Sequence, residues 1–140
     1  MFETVVAIIM LIVGALIGFL AAVGKDALLE NKKNIQKEKE FKKQKLEEAF
    51  ELANFTFVNN IKPLEIRESD GGHNGAKLSM IIRFYFPSLD AELKLFVDGV
   101  VAINKIFDIK NDTSIESEFT VFANIYRKFS AKIVEESKSF

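Results

Sequence analysis

The stretch TVVAIIMLIVGALIGFLAAVG, Thr4–Gly24, lies between Glu3 and Lys25 and contains no charged residue. A helix needs about 20 predominantly apolar residues to cross a hydrocarbon core of about 30 Å. In lipid a helix satisfies its own backbone hydrogen bonds, so this run reads as a transmembrane anchor. A cleaved secretory signal would have a basic segment before an apolar core of about 7–15 residues. Here only Met1, Phe2 and Glu3 precede the run, so an uncleaved anchor is expected.

The flanks set the direction. Lys25, Lys32, Lys33, Lys37, Lys39, Lys42 and Lys43 follow the span, and no Lys or Arg precedes it. Basic residues within about 15–20 residues of a span are held on the cytoplasmic side. The expected location is therefore the bacterial inner (plasma) membrane, with the N-terminus outside and the C-terminal body in the cytoplasm.

Within the span, Gly14 and Gly18 form a GxxxG, GALIG, and Ala22 repeats the small-residue spacing one turn later. Small residues at this spacing let two membrane helices approach closely, which points to a homo-oligomer assembled through Gly14, Gly18 and Ala22. Thr4 is the only polar side chain of the span, which argues against a wide water-filled pore.

The remainder of the 140 residues suffices for one small domain. With no cysteine there is no disulfide framework, thiolate nucleophile or Cys-based zinc site. Residues 25–45 form a lysine-rich segment without Gly or Pro, polar on nearly all sides, and read as a solvated helical stalk. Its membrane-proximal lysines, Lys25, Lys32, Lys33 and Lys37, serve topology and face a lipid bilayer as their natural partner. Nucleic acid is not expected, because Glu38, Glu40, Glu47 and Glu48 are interleaved with the lysines.

Residues 46–140 read as a helical bundle. Leu46, Phe50, Ala53, Phe57 and Ile61 recur at helical spacing and mark a first apolar stripe. A loop is expected over 62–77, which holds Pro63, Gly71, Gly72 and Gly75. The following run, LSMIIRFYF (78–86), fits a helix through Leu78, Ile81, Ile82 and Tyr85, but also alternates as a strand would. No second strand-like run is present to pair with it, so a helix ending before Pro87 is expected. Beyond it Ser88 is placed to cap a helix with Asp90 and Glu92 in its first turn, and Leu89, Leu93, Phe96, Val100 and Ile103 form its stripe.

A capping box at Thr113–Glu116 then opens a helix with Ile115, Phe119, Phe122, Tyr126, Phe129 and Ile133 on one face. Its polar end, EESKSF, is expected to fray. The three stripes predict an all-α protein: a transmembrane helix (1–24) continuing into the stalk (25–45) and a small cytoplasmic three-helix bundle (46–140).

No GxSxG, HExxH or phosphate-binding glycine loop occurs, so no catalytic, cofactor or metal site is assigned. One element remains, Arg67 and His73 in RESDGGH, which resembles the Arg-x(4–6)-His element of the helical HEPN ribonucleases. That resemblance implies a degenerate ribonuclease, with Arg67 and His73 as its loop site. The layout and the YFP-x-L of MIIRFYFPSLDAEL (80–93) resemble small bacterial membrane-anchored helical-bundle proteins, similar to phage-defence accessory and effector membrane proteins. This resemblance implies a non-enzymatic membrane effector or accessory component in antiphage defence. The alternative is a monomeric tether that recruits a soluble cytoplasmic protein partner.

Overall fold

The structure is a computed structural model that describes the backbone of residues 2–62, 66–68, 71–109 and 115–140. Its helices are α1 (Phe2–Ile61), α2 (Gly71–Tyr85), α3 (Asp90–Ile109) and α4 (Ile115–Ser137), with a 3₁₀ turn at Pro87–Leu89. The protein is all-α, as expected. It divides into two compact units, Met1–Lys39 and Glu40–Phe140.

The first unit consists of residues 2–39 of α1. Its best window has a mean hydropathy of 1.9 with none of it buried, so the helix is long and apolar enough to cross a membrane. Met10, Leu11, Leu16, Ile17, Phe19 and Leu20 all point into open space. Large apolar side chains are ordinarily buried, and among the described residues this window is not.

The second unit is built from residues 40–61 of α1 together with α2, α3 and α4. Tyr85 packs edge-on against Phe41 and Lys77 reaches Glu48, so α2 runs antiparallel to this part of α1. Along α3 and α4, Phe107 meets Phe119 and Phe96 meets Phe129, which makes that pair antiparallel as well. The result is a four-helix up-down-up-down arrangement in which each helix hides its apolar face on its neighbours.

The break at Phe86-Pro87 is a chain reversal, which is why the bundle has four helices where three stripes were expected. Proline disfavours helical backbone in the residue before it, and Phe86 accordingly leaves the helix with φ −138° and ψ 58°. Its N–H still donates to Ile82 O at 2.8 Å, and its carbonyl accepts from Leu89 N at 2.9 Å. Ser88 lies inside the 3₁₀ turn and is not the cap; Asp90 and Glu92 do occupy the first turn of α3.

The expected loop over 62–77 is shorter than the glycines suggest, since α2 begins at Gly71 and takes in Gly72 and Gly75. A glycine costs a helix only about 1 kcal/mol relative to alanine. Burial of Leu78, Ile81 and Ile82 on the other helices outweighs that cost. The same burial resolves the strand-or-helix ambiguity of 78–86 in favour of the helix.

The core holds Leu46, Ala49, Ala53, Leu78, Ile81, Ile82, Phe86, Leu89, Leu93, Phe96, Ile103, Phe122, Phe129 and Ile133. The α3 and α4 stripes are as expected, with Ile115 lying outside the described side chains. The α1 stripe is rotated. Its buried line is Leu46, Ala49, Ala53, Thr56 and Asn60, whereas Phe50 and Ile61 are exposed. Alanines on that line let α1 sit close to its neighbours, and the larger phenylalanines flank the contact. The terminal EESKSF does not fray, because α4 continues to Ser137 and Phe140 packs edge-on against Phe86 with ring centroids 6.1 Å apart. Thr113 and Ser114 of the expected capping box lie outside the described residues.

Candidate functional site

The C-terminal end of α1 exposes carbonyls that have no intrahelical partner, and Arg67 meets them. Its Nη2 donates to Asn60 O at 2.8 Å and its Nε to Lys62 O at 2.9 Å. Nη1 donates to Asn104 Oδ1 of α3, and the guanidinium lies over the Phe107 ring at 4.6 Å from its centroid. Basic side chains commonly satisfy such helix ends, and the planar fork of arginine suits two carbonyls and an aromatic face at once.

Beside it, Asn59 treats Glu68 as a strand would treat a neighbour. Its Nδ2 donates to Glu68 O at 3.2 Å, and its Oδ1 accepts from Glu68 N at 2.9 Å. Asn60 Nδ2 donates back to Thr56 O at 2.7 Å. Thr56 Oγ1 is buried with no hydrogen-bond partner among the described residues. These polar groups and the apolar side chains of Leu78, Phe96, Val97 and Val100 line an open hollow of about 450 Å³.

The structure does not bring the two loop-site candidates together. Arg67 is half-buried within this network, whereas His73 is exposed in the first turn of α2 and does not line the hollow. The arrangement therefore clamps the α1–α2 connection to α3 and presents no acid–base pair. Asp70, the acidic residue nearest His73 in the sequence, lies outside the described residues. Among the described residues no three His, Asp or Glu side chains converge on a metal position.

Sequence reasoning missed Asn60, Asn104 and Phe107 as partners of Arg67 and Asn59 as the partner of Glu68. The available signal was the pair Asn59-Asn60 on an otherwise apolar stripe, and Asn104 immediately after the buried Ile103.

The candidates in the first unit are all on open surface. An added Cβ at Gly14 or Gly18 would meet nothing within 4 Å, and Ala22 is exposed. Lys25, Lys32, Lys33 and Lys37 are likewise exposed. In the second unit, Met80 and Phe84 form an exposed apolar pair one turn apart on α2, with Phe84 77% exposed.

Two ion-pair clusters shape the local electrostatics. Glu48 accepts from Lys45 at 2.7 Å and from Lys77 at 2.6 Å, and the hydrogen bond from Lys45, followed by that from Lys77, holds its carboxyl below the usual range. The same bond to Glu48 raises the Lys45 ammonium. On α4, the hydrogen bond between Lys132 and Glu135 raises the former and lowers the latter.

No family model, no curated protein and no solved structure matches this chain.

Proposed function

We propose that this chain is a single-pass membrane protein that self-associates through its N-terminal helix and works without catalysis, as a membrane effector or accessory component. The observation that carries this reading is the exposed apolar face of α1, which leaves its best spanning window unburied. Burying such a run in lipid removes it from water at roughly 25 cal/mol per Å². The open surface at Gly14 and Gly18 supports close helix–helix approach. The lysines after the span support an inner-membrane orientation with the body in the cytoplasm. Engagement of Arg67 with Asn60, Lys62, Asn104 and Phe107 supports a structural role for that residue and a non-enzymatic reading of the domain.

The test joins membrane fractionation with crosslinking of the parent and of Gly14→Ile combined with Gly18→Ile. Expected are alkali-resistant membrane retention of both and loss of the crosslinked species in the variant. An unchanged oligomer sinks the self-association; release by alkali sinks the membrane assignment. A role in antiphage defence rests on the layout and YFP-x-L resemblance, and is checked by phage plating with and without the gene.

The tether reading draws on a separate observation, the exposed Met80 and Phe84 on α2, a surface on which a soluble partner could dock. Membrane potential and dye entry on induction separate the two: an effector collapses the potential, and a tether leaves it intact.

A further inference from the structure

Side chains on a helix lean toward its N-terminus. In the first unit that direction runs from the lysines back to the apolar span. At about 1.5 Å per residue, Lys25 lies about 1.5 Å beyond Gly24, Lys32 about 12 Å and Lys37 about 20 Å. A lysine stem reaches back about 6 Å, which brings the Lys32 ammonium to about 6 Å from the end of the apolar run. The headgroup layer is about 5–8 Å thick on each side of the hydrocarbon core. Lys32 therefore ends within it, and Lys25, which starts at the edge of the hydrocarbon, reaches it by turning its stem outward as lysines at span ends do. The Lys37 ammonium stops about 14 Å out, more than a Debye length of about 8 Å from the middle of that layer.

The helical period selects among the near lysines. Seven residues bring Lys32 to within about 20° of Lys25 around the helix. Asp26 lies about 100° and Glu30 about 140° from Lys25, whereas Lys33 falls next to Asp26. All five side chains are exposed. The acidic groups are thus on one side of α1, and Lys25 and Lys32 stand together on the other.

We propose that Lys25 and Lys32 form a binding site for the phosphate of an anionic lipid headgroup in the leaflet on the lysine side. This rests on the reading of α1 as a membrane span and adds to it a specific lipid contact. Each lysine near the surface contributes roughly a fivefold preference for an anionic lipid. The pair gives roughly a 5- to 30-fold enrichment. Lys37 and Lys39 contribute little.

The full chain is placed in nanodiscs of phosphatidylcholine alone and of phosphatidylcholine with phosphatidylglycerol, and retained lipids are counted by native mass spectrometry. Phosphatidylglycerol is expected to be enriched on the parent. Enrichment is expected to vanish in Lys25→Gln with Lys32→Gln, to persist in Lys37→Gln with Lys39→Gln, and to weaken in high salt. Equal losses in the two double variants, or no enrichment in a chain that enters the discs, overturn the site while leaving the span intact. Retention of inorganic phosphate by the parent in phosphatidylcholine discs, abolished by the Lys25/Lys32 variant, overturns the lipid as its source. Failure of the chain to enter either disc overturns the span and the site together.

Discussion

Gly99 on α3 lies against the ring of Phe122 on α4 so closely that a Cβ at Gly99 would stand 2.8 Å from Phe122 Cδ2 and 3.3 Å from Cε2. Phe122 is itself fully buried and stacked on Phe96 with ring centroids 5.7 Å apart, so it has little room to yield. Gly99→Ala would gain up to about 1 kcal/mol of helix propensity. Overpacking of this kind costs about 1–3 kcal/mol and wins. The expected outcome is a lower unfolding midpoint, by several degrees for a domain of this size, read from thermal melts of the detergent-solubilised chain.

Arg67 and His73 are expected to behave oppositely on substitution. Arg67→Ala removes its hydrogen bonds to Asn60 O, Lys62 O and Asn104 and its stacking on Phe107, and should lower stability by about 2–3 kcal/mol. Arg67→Lys should not restore it, because an ammonium cannot reproduce the planar fork. His73→Ala, on an exposed turn, should stay within about 0.5 kcal/mol. Urea unfolding measures all three. If purified parent cleaves RNA and His73→Ala abolishes the cleavage, the ribonuclease reading stands and the structural one for this pair falls.

Stability should depend on acid through Glu48. Its carboxyl is lowered from 4.5 by the hydrogen bonds of Lys45 and Lys77. A depressed folded-state value means that the stabilisation is fully present above about pH 4.5 and is lost as pH falls through the lowered value. Lys45, raised from 10.5, contributes below that pH and loses its share as pH rises through the raised value. The melting difference between parent and Glu48→Gln should be constant near pH 7 and begin to shrink once pH falls below about 4.5. A difference that does not decline at all as pH falls from 7 into the acid range would contradict the pairing.

Phe140 belongs to the packed unit. Removing its ring takes away the edge contact with Phe86 and the cover it provides on the core. An aromatic pair contributes about 0.5–1.5 kcal/mol beyond area burial. Phe140→Ala should therefore destabilise measurably, and faster amide exchange around Phe86 and Ile82 should accompany it. Unchanged exchange there would show that the ring contact contributes nothing.

How much was legible differs from residue to residue. Leu93, Phe96 and Ile103 on α3, and Phe122, Phe129 and Ile133 on α4, were readable because large apolar residues at a 3.6-residue period have only one face to bury. The α1 stripe is less legible for a related reason: Phe50 and Ile61 are the large apolar residues at helical spacing, whereas the small Ala49 and Ala53 face the core where helices approach closely. Gly71, Gly72 and Gly75 looked like a loop, because glycine's local preference is visible in sequence and the packing of Leu78 and Ile82 that overrides it is not. In the sequence Arg67 stands out only by its spacing to His73. Its true partners, Asn60 and Asn104, are separated from it by intervals that carry no periodic signal.

The sequence by itself determined the all-α character, the apolar run of Thr4–Gly24 and the basic flank after it, since charge, length and period act locally along a chain. Tertiary structure alone decided that Phe86-Pro87 reverses the chain into a fourth helix, that Gly99 is a contact point, and that Arg67 closes the end of α1. Each of these depends on a neighbour brought close in space, and the physical preference of one residue cannot specify which neighbour that will be.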